Sequence, residues 1–289
     1  MKSIMKKKQK SFYFMTATAI AGIAAVAFYQ WWTAPYNLPE VAEGITAEEY
    51  GFILEPENQA QQKINAISEH DKIMLLKQAV EKEPNRMAYA NALRIQMREQ
   101  GEIKTYLEYL EQIKPSTPAL KLQKALSYVD LLQDPDLGTA SLGQLSARSI
   151  SVLNDLIEDR PYDWFAHYAR GLNNLYWPSG LQRTDKAIQD LGYCLAVAKQ
   201  LEGGMKLSVW PLIYTAYGDA LVKEGQIKKG IEVWKDGFQK YKEDEELKRR
   251  ASVGEVEAVD IVREARGIDD FRRPSPSLSD LSLVWTFTE

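Results

Sequence analysis

The residue types that most often perform chemistry in enzymes are scarce in this sequence. It contains two histidines, His70 and His167, far apart along the chain, and a single cysteine, Cys194. Neither histidine has companion ligands at the spacing that metal sites require, so we expect both to be structural. Cys194 stands at a small-residue position on the apolar face of a predicted helix, where packing is expected rather than nucleophilic catalysis.

Sequence motifs of common active sites are also missing. There is no Gly-x-Ser-x-Gly turn and no glycine-rich phosphate loop that opens a helix. The acidic run over residues 243–246 is typical of a helix start, where carboxylates complement the helix dipole. We therefore expect no catalytic residue, no cofactor and no metal site.

The N-terminal stretch determines where the rest of the chain is expected to work. Residues 12–32 are 21 residues without a charge, they follow the lysine-rich opening MKSIMKKKQK, and no charge comes after them until Glu40. A helix of this length spans about 30 Å, the hydrocarbon thickness of a bilayer. The positive-inside rule then predicts a cytoplasmic segment 1–10, a transmembrane signal anchor 11–33, and a body that is periplasmic or on the cell surface.

A cleaved signal peptide is the alternative interpretation of this stretch. The small residues Ala25 and Ala27 flank Val26 in the pattern that signal peptidase recognises. The body is exported in either case. A lipid anchor would require a cysteine just after the apolar run, whereas the single cysteine is Cys194.

Charge and composition limit the partners of the exported body. The chain has 36 basic and 40 acidic side chains, and without the five lysines of its first ten residues 31 basic ones remain, a net charge of −9. An acidic body repels nucleic-acid phosphates, so nucleic-acid binding is not expected. One cysteine cannot form an internal disulfide, and a chain of this length can be stabilised by its hydrophobic core.

Hydrophobic periodicity is helical along nearly the whole body, which predicts an all-α fold. A linker is expected over residues 34–57 and helical repeats over residues 58–267, the last helix forming a polar cap. The predicted helices cover residues 58–68, 70–83, 86–100, 102–113, 118–133, 144–159, 162–177, 183–201, 209–224, 226–241 and 244–265.

Two of the predicted helix pairs share a pattern of small and large residues. In the second helix of each pair, a small residue is followed four positions later by a large apolar one and seven positions later by another small one. Glycine is unfavourable inside a helix by about 1 kcal/mol relative to alanine, so close helix packing is the expected compensation. The residues predicted to pack the pairs together are Gly171, Ala187, Leu191, Cys194, Gly218, Gly230, Trp234 and Gly237.

The pattern resembles the tetratricopeptide repeat, a 34-residue helix-turn-helix unit with small-large-small positions and a terminal proline. Leu212–Tyr241 is the best copy and residues 163–197 are the second. The copy after Arg86 departs from the family, because Arg94 and Tyr106 stand where the family has small residues. The resemblance covers about residues 70–242 and implies a TPR-like solenoid with protein partners; an unrelated helical bundle is the alternative.

An insertion interrupts the second-best copy. Sixteen residues separate Gly171 from Ala187, whereas twelve separate the equivalent Gly218 and Gly230. The inserted turn is rich in the residue types of binding hot spots, and partner binding is predicted for Tyr176, Trp177, Leu181 and Arg183. The alternative is that the turn folds back and Trp177 plugs the end of a repeat.

The last 22 residues, 268–289, differ in kind from the rest. A polar, proline-containing linker is followed by apolar residues at every second position, a strand pattern. This segment is predicted to bind a partner's sheet, or to lie extended in a groove of its own repeats, or to be disordered. Its candidate contact residues are Leu281, Leu283, Trp285 and Phe287.

The sequence as a whole predicts a non-enzymatic membrane-anchored scaffold or assembly factor that binds other proteins of an envelope or membrane complex. A ligand-binding accessory of a transport system is the second hypothesis. A membrane-anchored enzyme without a recognisable motif is the third.

Overall fold

The computed structural model describes residues 26, 27, 29, 30 and 32–285. The chain divides into two units, Met1–Tyr36 and Asn37–Glu289. In the first unit the described residues up to Thr33 are helical. Most of the predicted anchor, residues 11–33, lies outside the described residues. Within the described part of the chain, no helix is both long and apolar enough to cross a membrane.

The second unit is built from helices. Its described part contains twelve α-helices and no strand, which confirms the all-α class predicted from periodicity. In chain order the helices are α1 (Leu54–Asn65), α2 (Lys72–Lys82), α3 (Met87–Glu99), α4 (Ile103–Gln112), α5 (Pro118–Leu131), α6 (Thr139–Asp159), α7 (Trp164–Leu175), α8 (Thr184–Leu201), α9 (Trp210–Lys223), α10 (Ile227–Lys240), α11 (Glu245–Ala251) and α12 (Glu255–Arg266).

The helices pack in the arrangement of a TPR-like solenoid. From α3 to α10, each odd-numbered helix pairs with the helix that follows it. Odd-numbered helices also contact one another in succession, so α1, α3, α5, α7 and α9 form a continuous row, which we call the inner row. Each of α4, α6 and α8 contacts the first helix of the next pair, and this contact joins neighbouring pairs.

Local sequence signals begin and end these helices. Gly101 and Gly225 occupy the turns of the pairs α3–α4 and α9–α10 with φ of 74° and 84°, a region that glycine enters without steric cost. The side chains of Thr117, Asp163 and Asp244 accept hydrogen bonds from the first turns of α5, α7 and α11. Such caps satisfy backbone N–H groups that have no partner within the helix.

The small residues predicted to pack helix pairs lie in those interfaces. A Cβ atom on Gly230 would lie 2.6 Å from the Gly218 carbonyl oxygen, and one on Gly237 would lie 2.7 Å from the Tyr214 Cβ. A Cβ on Gly171 would lie 2.9 Å from the Leu191 Cγ. The fully buried residues of the same set are Ala187, Leu191, Cys194 and Trp234.

Three buried aspartates pair with cations inside the solenoid. Asp130, Asp190 and Asp219 are at most 5% exposed. Buried carboxylates need paired charges and hydrogen bonds to offset their desolvation. Each has two basic neighbours: Arg94 and Arg98 for Asp130, His167 and Arg170 for Asp190, and Arg250 and Arg266 for Asp219.

Several predicted boundaries are corrected by the structure. The predicted linker lacks helices up to Ile53, but its Tyr50 and Phe52 are at most 2% exposed, and the Tyr50 carbonyl accepts a hydrogen bond from the Trp164 amide at 3.0 Å. Helix α6 begins at Thr139 rather than at residue 144. The predicted cap helix over 244–265 is wrong, because two helices, α11 and α12, are separated by a short turn that ends at Gly254, the N-cap of α12.

Candidate functional site: the groove that holds residues 268–285

Three residues of the inserted turn lie in the protein interior, whereas Gly180, Leu181 and Gln182 at its tip are exposed. Tyr176, Trp177 and Arg183 are between 3% and 6% exposed. The indole Nε1 of Trp177 donates a hydrogen bond to the Ser146 hydroxyl at 2.7 Å, and the Arg183 guanidinium carbon lies 5.6 Å from the centre of the indole ring. Tyr176, Trp177 and Arg183 are therefore not at the surface, where the predicted partner contact would need them. The contacts of Trp177 fit the alternative in which the turn folds back.

The insertion contacts the C-terminal segment of the same chain. Its Ser179 amide donates to the Ile268 carbonyl at 2.7 Å, and the rings of Trp177 and Phe271 meet edge to face at 5.8 Å. Leu181, with 43% exposure, is the predicted contact residue of this turn that remains at the surface. Two regions that the sequence singled out separately, the insertion and the tail, are thus in direct contact.

The described part of the tail, residues 268–285, runs across the inner row; we call it the tail segment. It leaves α12 at Gly267, whose φ of 69° and ψ of 151° lie in a region that is essentially restricted to glycine. The Arg272 amide then donates to the Tyr176 carbonyl at 3.3 Å. Arg273 donates to the carbonyl oxygens of the loop after α5, at 3.1 Å to Asp134.

The tail segment passes the helices of the inner row in reverse chain order. From the insertion after α7 it reaches α5, then α3 and finally α1. Side chains of these elements bind its backbone carbonyl groups. The pairs and distances are Gln133 with Pro274 at 2.7 Å, Arg98 with Pro276 at 2.9 Å, Arg94 with Ser279, and Asn58 with Trp285 at 3.1 Å.

Ser279 is one of the most buried residues of the tail segment. Its hydroxyl is 2.8 Å from Asp130 Oδ1 and 3.1 Å from Arg98 Nη1, and Arg94 donates to both its hydroxyl and its carbonyl oxygen. Ser279 is 2% exposed and Arg94 is fully buried. Charge-assisted hydrogen bonds of this kind are about twice as strong as neutral ones.

The residues that hold Ser279 were not among the predicted site residues. The sequence contained one signal for them, since Arg94 stands where the repeat family has a small residue. A long cationic side chain at such a position needs acceptors, and these come from α5 and the tail segment.

After Ser279, the tail segment is held by the side-chain amide of Asn91 and by its own indole, that of Trp285. Asn91 donates to the Asp280 carboxylate at 3.0 Å and accepts from the Leu281 amide at 3.2 Å. The Trp285 indole is 2% exposed and donates to the Gln61 side chain at 3.2 Å. Side chains of the inner row therefore contact both side-chain and main-chain groups of the tail segment.

The strand predicted from alternation is wrong for the described residues of the tail. Residues Ser282–Val284 form a 3₁₀ turn, in which the Ser282 amide donates to the Asp280 side chain at 2.9 Å. This turn buries Leu281, Val284 and Trp285 and leaves Leu283 42% exposed. Phe287, the fourth predicted contact residue, lies outside the described residues.

Two cavities adjoin the tail segment. One of about 30 Å³ lies among Tyr168, Tyr176, Phe271 and Leu281, which leaves space for about one water molecule. The other, of about 320 Å³, is a cleft whose walls include Phe52, Phe165 and Trp285. Its volume is at the lower limit for pockets that hold small molecules.

The predicted structural histidine and cysteine lie in the core near α7 and α8. His167 Nδ1 is 2.8 Å from Asp190 Oδ1, and its Nε2 is 2.8 Å from the Pro161 carbonyl oxygen. Burial raises the pKa of the Cys194 thiol well above its ordinary value, which disfavours the thiolate. No three His, Cys, Asp or Glu side chains of the described residues form a group that could hold a metal ion. His70 is exposed on the turn before α2.

Comparisons with known proteins concern the fold alone. No protein-family model and no curated protein matches this sequence. A crystal structure of a thermophilic TPR protein from Thermus thermophilus is similar, with 20% identity and a TM-score of 0.48 over 71% of this chain and 98% of that one.

Proposed function

We propose that this protein is a membrane-anchored, extracytoplasmic scaffold or assembly factor that binds other proteins of an envelope or membrane complex without catalysing a reaction. The observation that supports binding is the groove of the inner row, which holds an extended segment of peptide. Helical solenoids provide extended surfaces of this kind for protein partners.

The chemistry of the groove is suited to peptide backbone. Asn58, Arg94, Arg98 and Gln133 all donate to main-chain carbonyl oxygens of the tail segment. Such contacts recognise an extended chain of many sequences, while buried side chains such as Trp285 add selectivity. A protein partner therefore fits the groove.

The membrane anchor in this proposal is supported by the sequence of residues 1–40. An apolar stretch of 21 residues with lysines on one side predicts that the intact protein stays in membranes after alkaline extraction and needs detergent for release. Protease added outside the cytoplasmic membrane should degrade the body. A soluble product that begins near Phe28 would contradict the anchor, and protection of the body would reverse the proposed orientation.

The scaffold function is tested by crosslinking in intact cells, followed by identification of the captured proteins. The expected result is capture of membrane or envelope proteins in a pattern that changes when groove residues such as Arg98 are substituted. The matched control is Arg249→Ala, because the Arg249 side chain is 49% exposed and pairs with Glu264 of α12. Capture that is identical for the wild type, the groove variant and the control would contradict the proposal.

A ligand-binding accessory of a transport system is the second candidate, favoured by the cleft of about 320 Å³ beside Trp285. Native mass spectrometry of the detergent-purified protein separates the two candidates. A small molecule that copurifies, and that is lost when Phe165 is changed to a charged residue in a folded variant, would support the transport role.

A further inference from the structure

We propose that the tail segment is a displaceable occupant of the inner-row groove, and that the partner is an extended segment of another protein which replaces it. This inference rests on the proposed scaffold function. The partner segment would have a hydroxyl residue followed by an acidic residue and a leucine, with an indole four residues after the leucine. In the tail these positions are Ser279, Asp280, Leu281 and Trp285.

Several contacts that orient the groove's arginine are made within the inner row itself. Arg94 Nε donates to Gln123 at 2.7 Å and its Nη2 donates to Asn91 at 3.0 Å, while its Nη1 pairs with Asp130. All of these contacts are within α3 or between α3 and α5. A preorganised groove is able to accept a new segment without the cost of rearranging its own side chains.

Charge in the empty groove would attract a partner with acceptors and acidic residues. Arg94 and Arg98 share one carboxylate, Asp130, so the cluster has a net positive charge. The tail supplies the Ser279 carbonyl oxygen to Arg94, and the neighbouring carboxylate of Asp280 binds Asn91 at 3.0 Å. A partner segment needs equivalent groups, because a buried cation without acceptors is unfavourable.

The tail segment is held at separate points, which allows stepwise release. Buried residues alternate with exposed ones: Pro274, Ser279, Leu281, Val284 and Trp285 are buried, whereas Arg272, Arg273, Ser275, Ser277 and Leu283 are exposed. Its regular structure consists of two short 3₁₀ turns, Pro276–Ser279 and Ser282–Val284. A segment with few buried residues and little regular structure belongs to the part of a fold that opens at low free energy.

The connection at Gly267 allows the tail to leave while the repeats remain folded. It follows α12 directly, and a Cβ atom there would lie 2.6 Å from the Asp270 carbonyl oxygen. The bend at Gly267 turns the chain towards the inserted turn, so the docked path depends on this one residue. Because α12 packs on α9 and α10, the last helix does not need the tail segment for its position.

The test uses the full-length protein in detergent and a fluorescent synthetic peptide with the sequence of residues 268–285. Two variants release the tail: Leu281→Ser with Trp285→Ser in the full chain, and a truncation after Gly267. The matched control is Leu283→Ser, because Leu283 is exposed. We expect the peptide to bind both released variants at least tenfold more tightly than the wild type or the control.

Peptide variants test the recognised chemistry. Changing the tryptophan at the position of Trp285 to serine, or the aspartate at the position of Asp280 to lysine, should weaken binding to the released protein at least tenfold. Changing the leucine at the position of Leu283 to serine should have little effect on binding. Hydrogen exchange in the wild type should show amides of residues 270–285 exchanging faster than those of α9, because the tail opens without global unfolding.

Three outcomes would overturn the inference: equal peptide binding by released and intact proteins, loss of cooperative unfolding in both released variants, and tail amides as protected as those of α9. The result is distinguishable from failure of the proposed function. If the peptide binds as expected but no variant captures a protein in cells, the scaffold function fails while the displaceable tail stands. Partner capture that the peptide does not compete with would support the scaffold function and overturn the displaceable tail.

Discussion

Two helix pairs of the solenoid have residues of very different size at equivalent positions of their helix–helix interface. In α9–α10, Gly218 and Gly230 face each other so closely that a Cβ on Gly230 would lie 2.6 Å from the Gly218 carbonyl oxygen. In α3–α4, Arg94 and Tyr106 occupy the corresponding positions of the repeat. Both are fully buried, and the Tyr106 hydroxyl donates to the Ala90 carbonyl at 2.9 Å.

The difference shows how a broken repeat position creates a binding groove. The glycine pair closes through direct contact between helix backbones and needs nothing further. Arg94 instead extends beyond its own pair to Gln123 and Asp130 on α5, and Ser279 of the tail segment accepts two further hydrogen bonds from its guanidinium group. Part of the hydrogen-bonding capacity of Arg94 is therefore satisfied by the peptide segment that lies in the groove.

The largest expected effect is at the carboxylate that compensates Arg94. Asp130→Asn leaves two arginines without a buried counter-charge, and loss of one partner of a buried pair costs about 3–5 kcal/mol. Urea unfolding measures this change, with Asp136→Asn on the exposed loop as the control. Adding Arg94→Met should recover part of the loss. A cost no larger than that of the control would mean that the two pairs are stabilised alike.

The stability of the glycine-packed pair, α9–α10, should be lowered by added side-chain volume and not by a change of charge. Gly237→Leu places its Cβ within about 2.7 Å of the Tyr214 Cβ, and overpacking of a core typically costs about 1–3 kcal/mol. Gly203→Leu, on the exposed turn after α8 with no atom near its Cβ, is the control. Thermal unfolding that is unchanged by Gly237→Leu would contradict the close packing of α9 and α10.

A smaller effect is expected from the one lysine that α9 buries at its end. The Lys223 ammonium donates to the carbonyl oxygens of Leu175 and Trp177, both at 2.8 Å. Burial lowers its pKa from 10.5 to about 8. Between these values the unfolded chain binds more protons than the folded one, so stability contributed at this site rises as the pH increases.

The measurement for Lys223 is a difference between two proteins. The free energy of unfolding of the wild type minus that of Lys223→Met should rise from pH 8 towards pH 10.5, the window set by the lowered pKa. Subtraction removes the contributions of other titrating groups. A flat difference over this window would mean that Lys223 titrates at its ordinary pKa, and a falling one that folding raises the pKa; either would contradict the prediction.

The smallest effect is expected at the exposed residue of the tail. Leu283→Ser should change stability by no more than about 0.5 kcal/mol, as is usual at surface positions. Trp285→Ser should lower it by more, since the indole is buried and bonded to Gln61. Equal effects of the two changes would favour the alternating strand that the sequence suggested.

Much of the fold could be predicted because its signals are local. Helical periodicity indicated the class and the approximate helices. Where the family pattern is complete, as from Leu212 to Tyr241, the small residues identified the helix contacts. The prediction of one cap helix over residues 244–265 was wrong. Apolar spacing continues across the turn between α11 and α12, and the break depends on Gly254, the N-cap of α12.

The candidate site was less predictable because its partners are distant in sequence. Tryptophan is a residue type that is common in surface hot spots. Trp177 nevertheless packs against Ser146 and Phe271, residues from other parts of the chain. Alternation in the tail indicated a strand, whereas the hydrogen bond from the Ser282 amide to Asp280 stabilises a turn that buries Val284. Composition identifies residues suited to contacts, and burial depends on which elements meet.

By itself, the sequence determined the helical class, the close-packed glycine positions and the apolar stretch behind the N-terminal lysines, because each depends on residues near one another along the chain. The tertiary structure alone decided that the tail segment lies on the inner row. That contact joins residues such as Arg94 and Ser279, which are separated by 185 positions. In the sequence, Arg94 indicated only that hydrogen-bond acceptors were needed. The path of the chain after Gly267 determines that the tail segment supplies them.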